Sequence, residues 1–152
     1  MALFTGTYAD AKIDGKGRAT LPPKFRGELP PENNREIYIY PSPTQDYLEA
    51  SDREFIEQLR DSEPQNPYTD EDDEDSDTAW VLAEALSVTI DTAGRIVIPP
   101  DLVEEAGIGG KVVFVGRGFR FLIMSDAAHG AYKSRRRERR QNRKKSNSER
   151  SQ

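Results

Sequence analysis

Ile13-Asp14-Gly15-Lys16-Gly17-Arg18-Ala19-Thr20-Leu21-Pro22-Pro23 and, 77 residues on, Ile90-Asp91-Thr92-Ala93-Gly94-Arg95-Ile96-Val97-Ile98-Pro99-Pro100 are two copies of one phrase. Ile-Asp, Gly-Arg and Pro-Pro recur at a fixed offset, and apolar residues match at Leu21 and Ile98, which marks a duplicated structural unit. In each copy a weakly alternating strand enters the Asp-x-x-Gly-Arg loop and a second short strand leaves it. Glycine in the loop permits the positive φ of a tight connection, so each phrase predicts a hairpin or looped strand pair. The Pro-Pro pair then stops the ladder and starts a short helix, over 23–29 in the first copy and 100–106 in the second, where Gly107 is its stop.

Outward from the phrases, each unit continues with β segments, at 36–40 in the first and at 111–115 and 120–124 in the second. Ser51-Asp52-Arg53-Glu54 has the pattern of a capping box, with Phe55, Ile56 and Leu59 on one face of the helix behind it. Residues 61–77 are rich in Pro, Asp and Glu and cannot bury enough apolar surface to order themselves. A short helix is expected over 80–86, and Ser125 or Asp126 can cap a last helix through Ala131 and Tyr132. The resulting plan is α+β: a first unit over 1–60 with an appended helix, an acidic flexible linker over 61–79, a second unit over 80–130 with a lead-in helix, and a basic, largely disordered tail over 131–152.

A chain of 152 residues with 35% hydrophobic and 32% charged residues can bury a modest core. Modules of roughly 60 residues are marginal alone and gain from association, so a homo-oligomer is expected. The absence of cysteine excludes disulfides and thiolate sites. No apolar run approaches the ~20 residues of a membrane span, and the N-terminus lacks a basic region followed by an apolar stretch, which predicts a cytoplasmic protein without a membrane partner. The net charge of −5 conceals an asymmetry: residues 131–152 hold ten of the 22 Lys and Arg and only two acids, Glu138 and Glu149, so they carry +8 against −13 for the first 130 residues. That distribution admits nucleic-acid binding, which the whole-chain charge would discourage.

A single Asp/Gly turn with a solvated arginine would be an ordinary surface feature. Two copies in matched contexts point instead to display of the arginine. A guanidinium fixed at the end of a short strand can reach a phosphate or the O6/N7 edge of guanine, while the aspartate accepts loop N–H bonds and orients it. The DNA-binding candidates are Lys16, Arg18, Lys24, Arg26 and Arg95, with Asp14, Gly17, Asp91 and Gly94 organising the loops. Ala93 and Val103 stand in the second copy where the first has Lys16 and Arg26, so charge count assigns more of any DNA contact to the first repeat. The basic tail has three readings: a solvated end, a non-specific DNA tether, or a partner for the acidic run 70–77.

Enzymatic chemistry finds no support. His129 is the single histidine, Gly107-Ile108-Gly109-Gly110 follows a helix where a phosphate loop would follow a strand, and most carboxylates lie in a linker that cannot hold geometry. Asp73, Asp75, Asp77 and Glu84 match calcium-loop spacing, but Thr78 occupies the position that needs glycine. No catalytic residue, metal, cofactor or small-molecule substrate is expected.

The paired Asp-x-x-Gly-Arg and Pro-Pro phrases, Phe25-Arg26 after the first, and Val115-Gly116-Arg117-Gly118-Phe119-Arg120-Phe121 after the second resemble the MraZ family of bacterial transcriptional regulators, over roughly residues 3–132. The resemblance implies two AbrB/SpoVT-like swapped-hairpin units per chain and a ring oligomer, an octamer or larger. It also implies arginines displayed towards short G-rich direct repeats in the promoter of the division and cell-wall gene cluster, on a nucleoid-associated protein. Asp14, Arg18, Asp91 and Arg95 occupy the motif positions. The chain departs from the family pattern in its acidic run before the second unit and in Val103. AbrB-like units also occur in antitoxins, so the alternative is a module that binds a protein partner through residues 61–80.

Overall fold

The computed structural model describes residues 1–30, 35–63 and 76–150. Its elements are β1 (Thr7–Lys12), β2 (Arg18–Thr20), α1 (Pro23–Arg26), β3 (Glu36–Pro41), β4 (Leu48–Ser51), α2 (Arg53–Asp61), α3 (Asp77–Glu84), β5 (Leu86–Thr89), β6 (Arg95–Val97), α4 (Pro100–Glu105), β7 (Lys111–Gly116), β8 (Arg120–Met124) and α5 (Asp126–Arg150). Six strands form one antiparallel sheet in the order β1-β7-β8-β4-β3-β5, and β2 with β6 makes a separate two-stranded ribbon.

The two repeats are interleaved. Each phrase forms a looped strand pair, but β1 and β2 make no ladder with each other: the loop is closed by the bridge from Ile13 to Ala19 and the Asp14 N–H on the Arg18 carbonyl, and the outgoing strand of each loop pairs with that of the other. Three residues such as Arg18-Ala19-Thr20 present a single inward side chain, too little to hold a strand by itself. Pairing Ala19 opposite Ile96 brings the two inward residues together over the core. Exchanging the repeats, β1 for β5, β2 for β6, β3 for β7 and β4 for β8, reverses the order of the large sheet onto itself.

Alternation along the strands gives the sheet two apolar faces. One carries Ile37, Ile39, Val112, Phe114, Phe121 and Ile123, packed with Ile13, Leu21, Ile90, Ile96 and Ile98 of the two phrases. Phe25 of α1 is fully buried there, its ring centroid 5.3 Å from Phe4 and 4.8 Å from Phe121. Burial of such a ring contributes about 1.5–3 kcal/mol, and this anchors the helix that follows the first loop. The opposite face carries Val113, Val115, Leu122 and Met124 under Ala128 and Tyr132 of α5. Tyr40 and Glu49, directly paired across strands, share that second face, in a cleft with Phe55, Leu59 and Val81 of α2 and α3.

Three expectations at helix ends change. Asp52, not Ser51, caps α2: its Oδ1 accepts the Phe55 N–H at 2.9 Å, while Ser51 is buried in β4. Glu54 pairs with the N-terminal amine at 3.3 Å instead of closing a capping box. α3 starts at Asp77 behind Ser76 and ends at Glu84, before Leu86 enters β5. The third change is the largest. The segment read as a largely disordered tail continues α5 to Arg150, because 131–150 is dominated by good helix formers and contains neither glycine nor proline. Ser125 Oγ caps this helix by accepting the Ala128 N–H at 3.0 Å. The acidic residues 70–75, including the Asp73 and Asp75 of the calcium spacing, lie outside the described residues, and among the described residues no group of acids or His-type ligands is placed to hold a metal. No helix among them is long and apolar enough to cross a membrane.

Candidate nucleic-acid interface

Both loops are built by the same set of bonds. Asp14 Oδ1 accepts the backbone N–H of Lys16 at 3.0 Å and of Arg18 at 2.9 Å, and its Oδ2 holds Arg18 Nε at 2.7 Å. Asp91 Oδ1 accepts from the N–H of Ala93 and Arg95, both at 2.9 Å, and its Oδ2 holds Arg95 Nε at 2.9 Å. Each aspartate thus closes its loop and fixes one guanidinium edge. Among the described residues Nη1 and Nη2 of Arg18 and Arg95 make no hydrogen bond, so the fork stays available for a planar acceptor such as a phosphate. The backbone N–H of Arg18 and then its guanidinium hold the Asp14 carboxyl below the ordinary carboxylate range. The backbone N–H of Arg95 is likewise the first cause of the lowering at Asp91, where partial desolvation opposes it.

Gly17 and Gly94 carry the turns at φ of +83° and +82°. Their carbonyls tie the loops together: Ile98 N–H donates to Gly17 at 2.8 Å and Leu21 N–H to Gly94 at 2.9 Å. In the ribbon, Arg18 pairs with Val97 and Thr20 with Arg95, all four side chains on the outward face. The two arginines are therefore diagonal neighbours, a relation that sets residues about 7–8 Å apart, within reach of long side chains. Two guanidiniums so placed can meet neighbouring phosphates of one duplex.

The helices that follow the loops cross over. Arg26 of α1, in the first repeat, lies against Gly94 of the second loop, where an added Cβ would strike its guanidinium. Val103 and Glu104 of α4 line a cleft with Asp14, Lys16 and Gly17 of the first loop. Counting charge along the chain therefore misplaces it. Arg26 lies beside the second loop, and Glu104 shares a cleft with Lys16 of the first. Lys24 is exposed on α1. Sequence position alone carried no signal for this exchange, because it depends on β2 pairing with β6. Arg117 and Arg120, noted in the sequence only within the segment resembling the family, gather with Arg135, Arg136 and Arg139 of α5 around one cleft. That cleft lies on the sheet face of Tyr132, opposite the face on which both loops rest.

A family described as "MraZ protein, putative antitoxin-like" matches residues 81–150. The chain is similar to proteins named transcriptional regulator MraZ. In Rickettsia bellii the identity is 35% over 124 residues, covering 81% of each chain. In Rhodospirillum rubrum it is 33% over 141 residues, covering 89% of this chain and 87% of the relative. In Pelagibacter ubique it is 33% over 132 residues, covering 86% and 83%.

Proposed function

The chain belongs to the MraZ family, and on that premise we propose that it is a DNA-binding transcriptional regulator that reads short G-rich direct repeats in the promoter of the division and cell-wall gene cluster. The observation that carries this reading is the pair of loops in which Asp14 and Asp91 each fix an arginine by Nε and leave its fork outward on one ribbon face. Arginine in that attitude can take a phosphate bidentately or the O6 and N7 of guanine. Arg18 and Arg95 are the principal contacts, Lys16, Lys24 and Arg26 the supporting charge, and Gly17 and Gly94 the hinge of each loop. Binding to chromosomal DNA places the protein in the cytoplasm, at the nucleoid, and requires no catalytic group.

The unit is read as two AbrB-like swapped hairpins within a ring oligomer. The interleaved pairing of β2 with β6 supports the first part. Leu3 and Phe119, 58% and 55% exposed and next to the bridged pair Phe4 and Gly118, supply an apolar patch for a neighbouring copy. Repeated copies on repeated sites gain avidity without strong single contacts, which offsets the net negative charge of the first 130 residues.

Fluorescence anisotropy with a duplex bearing spaced G-rich repeats, against a scrambled duplex, tests the reading. Preference for the repeats that disappears in Arg18→Ala/Arg95→Ala is expected; equal binding of both duplexes by the unmodified chain overturns it. Truncation is informative only beyond Tyr132, which is buried beside Val113 and Leu122.

A further inference from the structure

We propose that α5 together with Arg117 forms a second polyanion-binding surface, which grips the phosphodiester backbone of a nucleic acid without reading its bases. It shares no residue with the loop interface and lies across the six-stranded sheet from it.

At the root of α5 a cleft of about 200 Å³ is lined by Arg117, Arg120, Arg135, Arg136 and Arg139. Arg120 is already committed to the buried Glu49, with Nε 2.6 Å from Oε1. The other four have no carboxylate partner among the described residues. Tyr132 fixes the geometry: it packs edge-on to Tyr47 at 6.2 Å, and the Arg136 guanidinium sits 5.4 Å from its ring centre. Tyr132, Arg135, Arg136 and Arg139 stand at i, i+3, i+4 and i+7, so the helix face that leaves the core is the face that carries the arginines.

A cleft alone would suit a single phosphoryl group, but the cations do not stop there. Residues 133–150 are exposed throughout. A second groove along the helix, about 350 Å³, is lined by Lys133, Arg136, Arg137, Arg140 and Lys144. Eighteen helical residues extend about 27 Å, which is the length of roughly eight base pairs at 3.4 Å each. Like charges at i, i+3 and i+4, as in Arg136 with Arg139 and Arg140, or Arg140 with Lys144, oppose the helix until counter-charge is supplied. A continuous helix with cations on each turn from Lys133 to Lys145 fits a stiff polymer of evenly spaced phosphates better than a folded acidic protein. With the loops on one side of the sheet and α5 on the other, one chain can hold two stretches of nucleic acid.

The test uses the full chain and a quadruple variant, Arg117→Gln, Arg135→Gln, Arg136→Gln and Arg139→Gln, titrated by anisotropy onto a scrambled duplex at 50 and 200 mM salt. Affinity is expected to fall by about tenfold or more, with the log–log salt slope shallower by about three to four, since each lost phosphate contact removes about 0.9. A second variant, Arg143→Gln/Lys144→Gln/Lys145→Gln, lies beyond the packed part of the helix and should shift both quantities the same way by less. Circular dichroism and the melting temperature report whether either variant has lost the fold. Unchanged affinity and slope in a folded quadruple variant overturns the proposal. So does tighter binding of polyglutamate than of duplex by the full chain, lost in that variant, which would assign the surface to an acidic protein. The loop variant Arg18→Ala/Arg95→Ala should lose preference for G-rich repeats yet still bind scrambled duplex. Retained preference in that variant would count against the loop reading alone, whereas loss of scrambled-duplex binding would overturn the α5 surface.

Discussion

The two Asp-x-x-Gly-Arg loops share one hydrogen-bond scheme, matched within 0.2 Å, yet sit in different surroundings. The first faces Val103 and Glu104; the second has the guanidinium of Arg26 against its glycine. Duplication copied the bonds that are local to each phrase. What differs comes from the helix of the other repeat, delivered by the crossing of β2 over β6. The comparison teaches that loop geometry is an intrinsic property of the phrase, whereas its electrostatic setting belongs to the partner repeat.

The glycines should separate the loops most strongly. At Gly17 a Cβ would meet the backbone carbonyl of Ile98, a residue whose N–H is already tied to the Gly17 carbonyl, and that obstacle cannot swing away. At Gly94 the obstacle is the end of a long flexible side chain. Both positions add the strain of a positive φ, of order 1–3 kcal/mol for a non-glycine residue. Gly17→Ala should therefore destabilise the fold by about 2–4 kcal/mol and Gly94→Ala by about 1–2 kcal/mol, measured by chemical denaturation. Equal losses would show that the ribbon yields at Ile98 and that the loops are more alike than their neighbours suggest.

DNA affinity comes next in size. Arg18→Ala and Arg95→Ala should each weaken binding to the G-rich duplex by about 1–3 kcal/mol, and by similar amounts, because both forks leave the same ribbon face. Charge along the chain favours a larger loss at Arg18, and a clear excess there would restore that ordering. A shallower salt slope with unchanged preference would assign an arginine to phosphate, whereas relaxed preference at one base would assign it to readout.

That reversal of expectation shows what was legible. The duplicated phrase announced the loops, their aspartate bonds and the helices after Pro-Pro, because each depends on residues within five or six positions. The alternation of Lys111–Gly116 and Arg120–Met124 announced buried strands. Which strand would pair with which was not legible, since a three-residue strand such as Arg18–Thr20 has no pattern long enough to select a partner. Arg26 was recognised as a candidate and grouped with the first loop by chain position, whereas the fold sets it beside Gly94 of the second. The helix over 131–150 was misread because charge density was weighed above intrinsic helix propensity, and the arginine cleft escaped notice because Arg117 and Arg139 meet only through the packing of Tyr132.

Arg26→Ala should produce a smaller change than either loop arginine, on the order of threefold to tenfold in affinity, as expected for one supporting phosphate contact. Its partner loop makes the effect diagnostic. In a chain already carrying Arg95→Ala, removal of Arg26 should add little, whereas in Arg18→Ala the two losses should add, because groups that share a contact couple and distant groups do not. Additivity with Arg95→Ala and coupling with Arg18→Ala would return Arg26 to the first loop.

Acid titration gives the smallest effect and the closest test of likeness between the loops. Asp14 and Asp91 both have carboxyls held below the ordinary aspartate value of 3.8 by the N–H groups of their own loops. A depressed carboxylate pKa adds stability that is fully present above 3.8 and is lost as pH falls through the lower, folded value. Asp14→Asn and Asp91→Asn should therefore each lower the melting temperature at pH 6 by a few degrees at most, and the gap to the unmodified chain should close only below pH 3.8. Both carboxylates are exposed, so salt should shrink the gap in each case. The same bonds surround the two aspartates, and closure should follow the same course in both variants. Closure at higher pH for Asp14 would mean that Glu104 reaches into the first loop, and closure at lower pH for Asp91 that Arg26 reaches into the second.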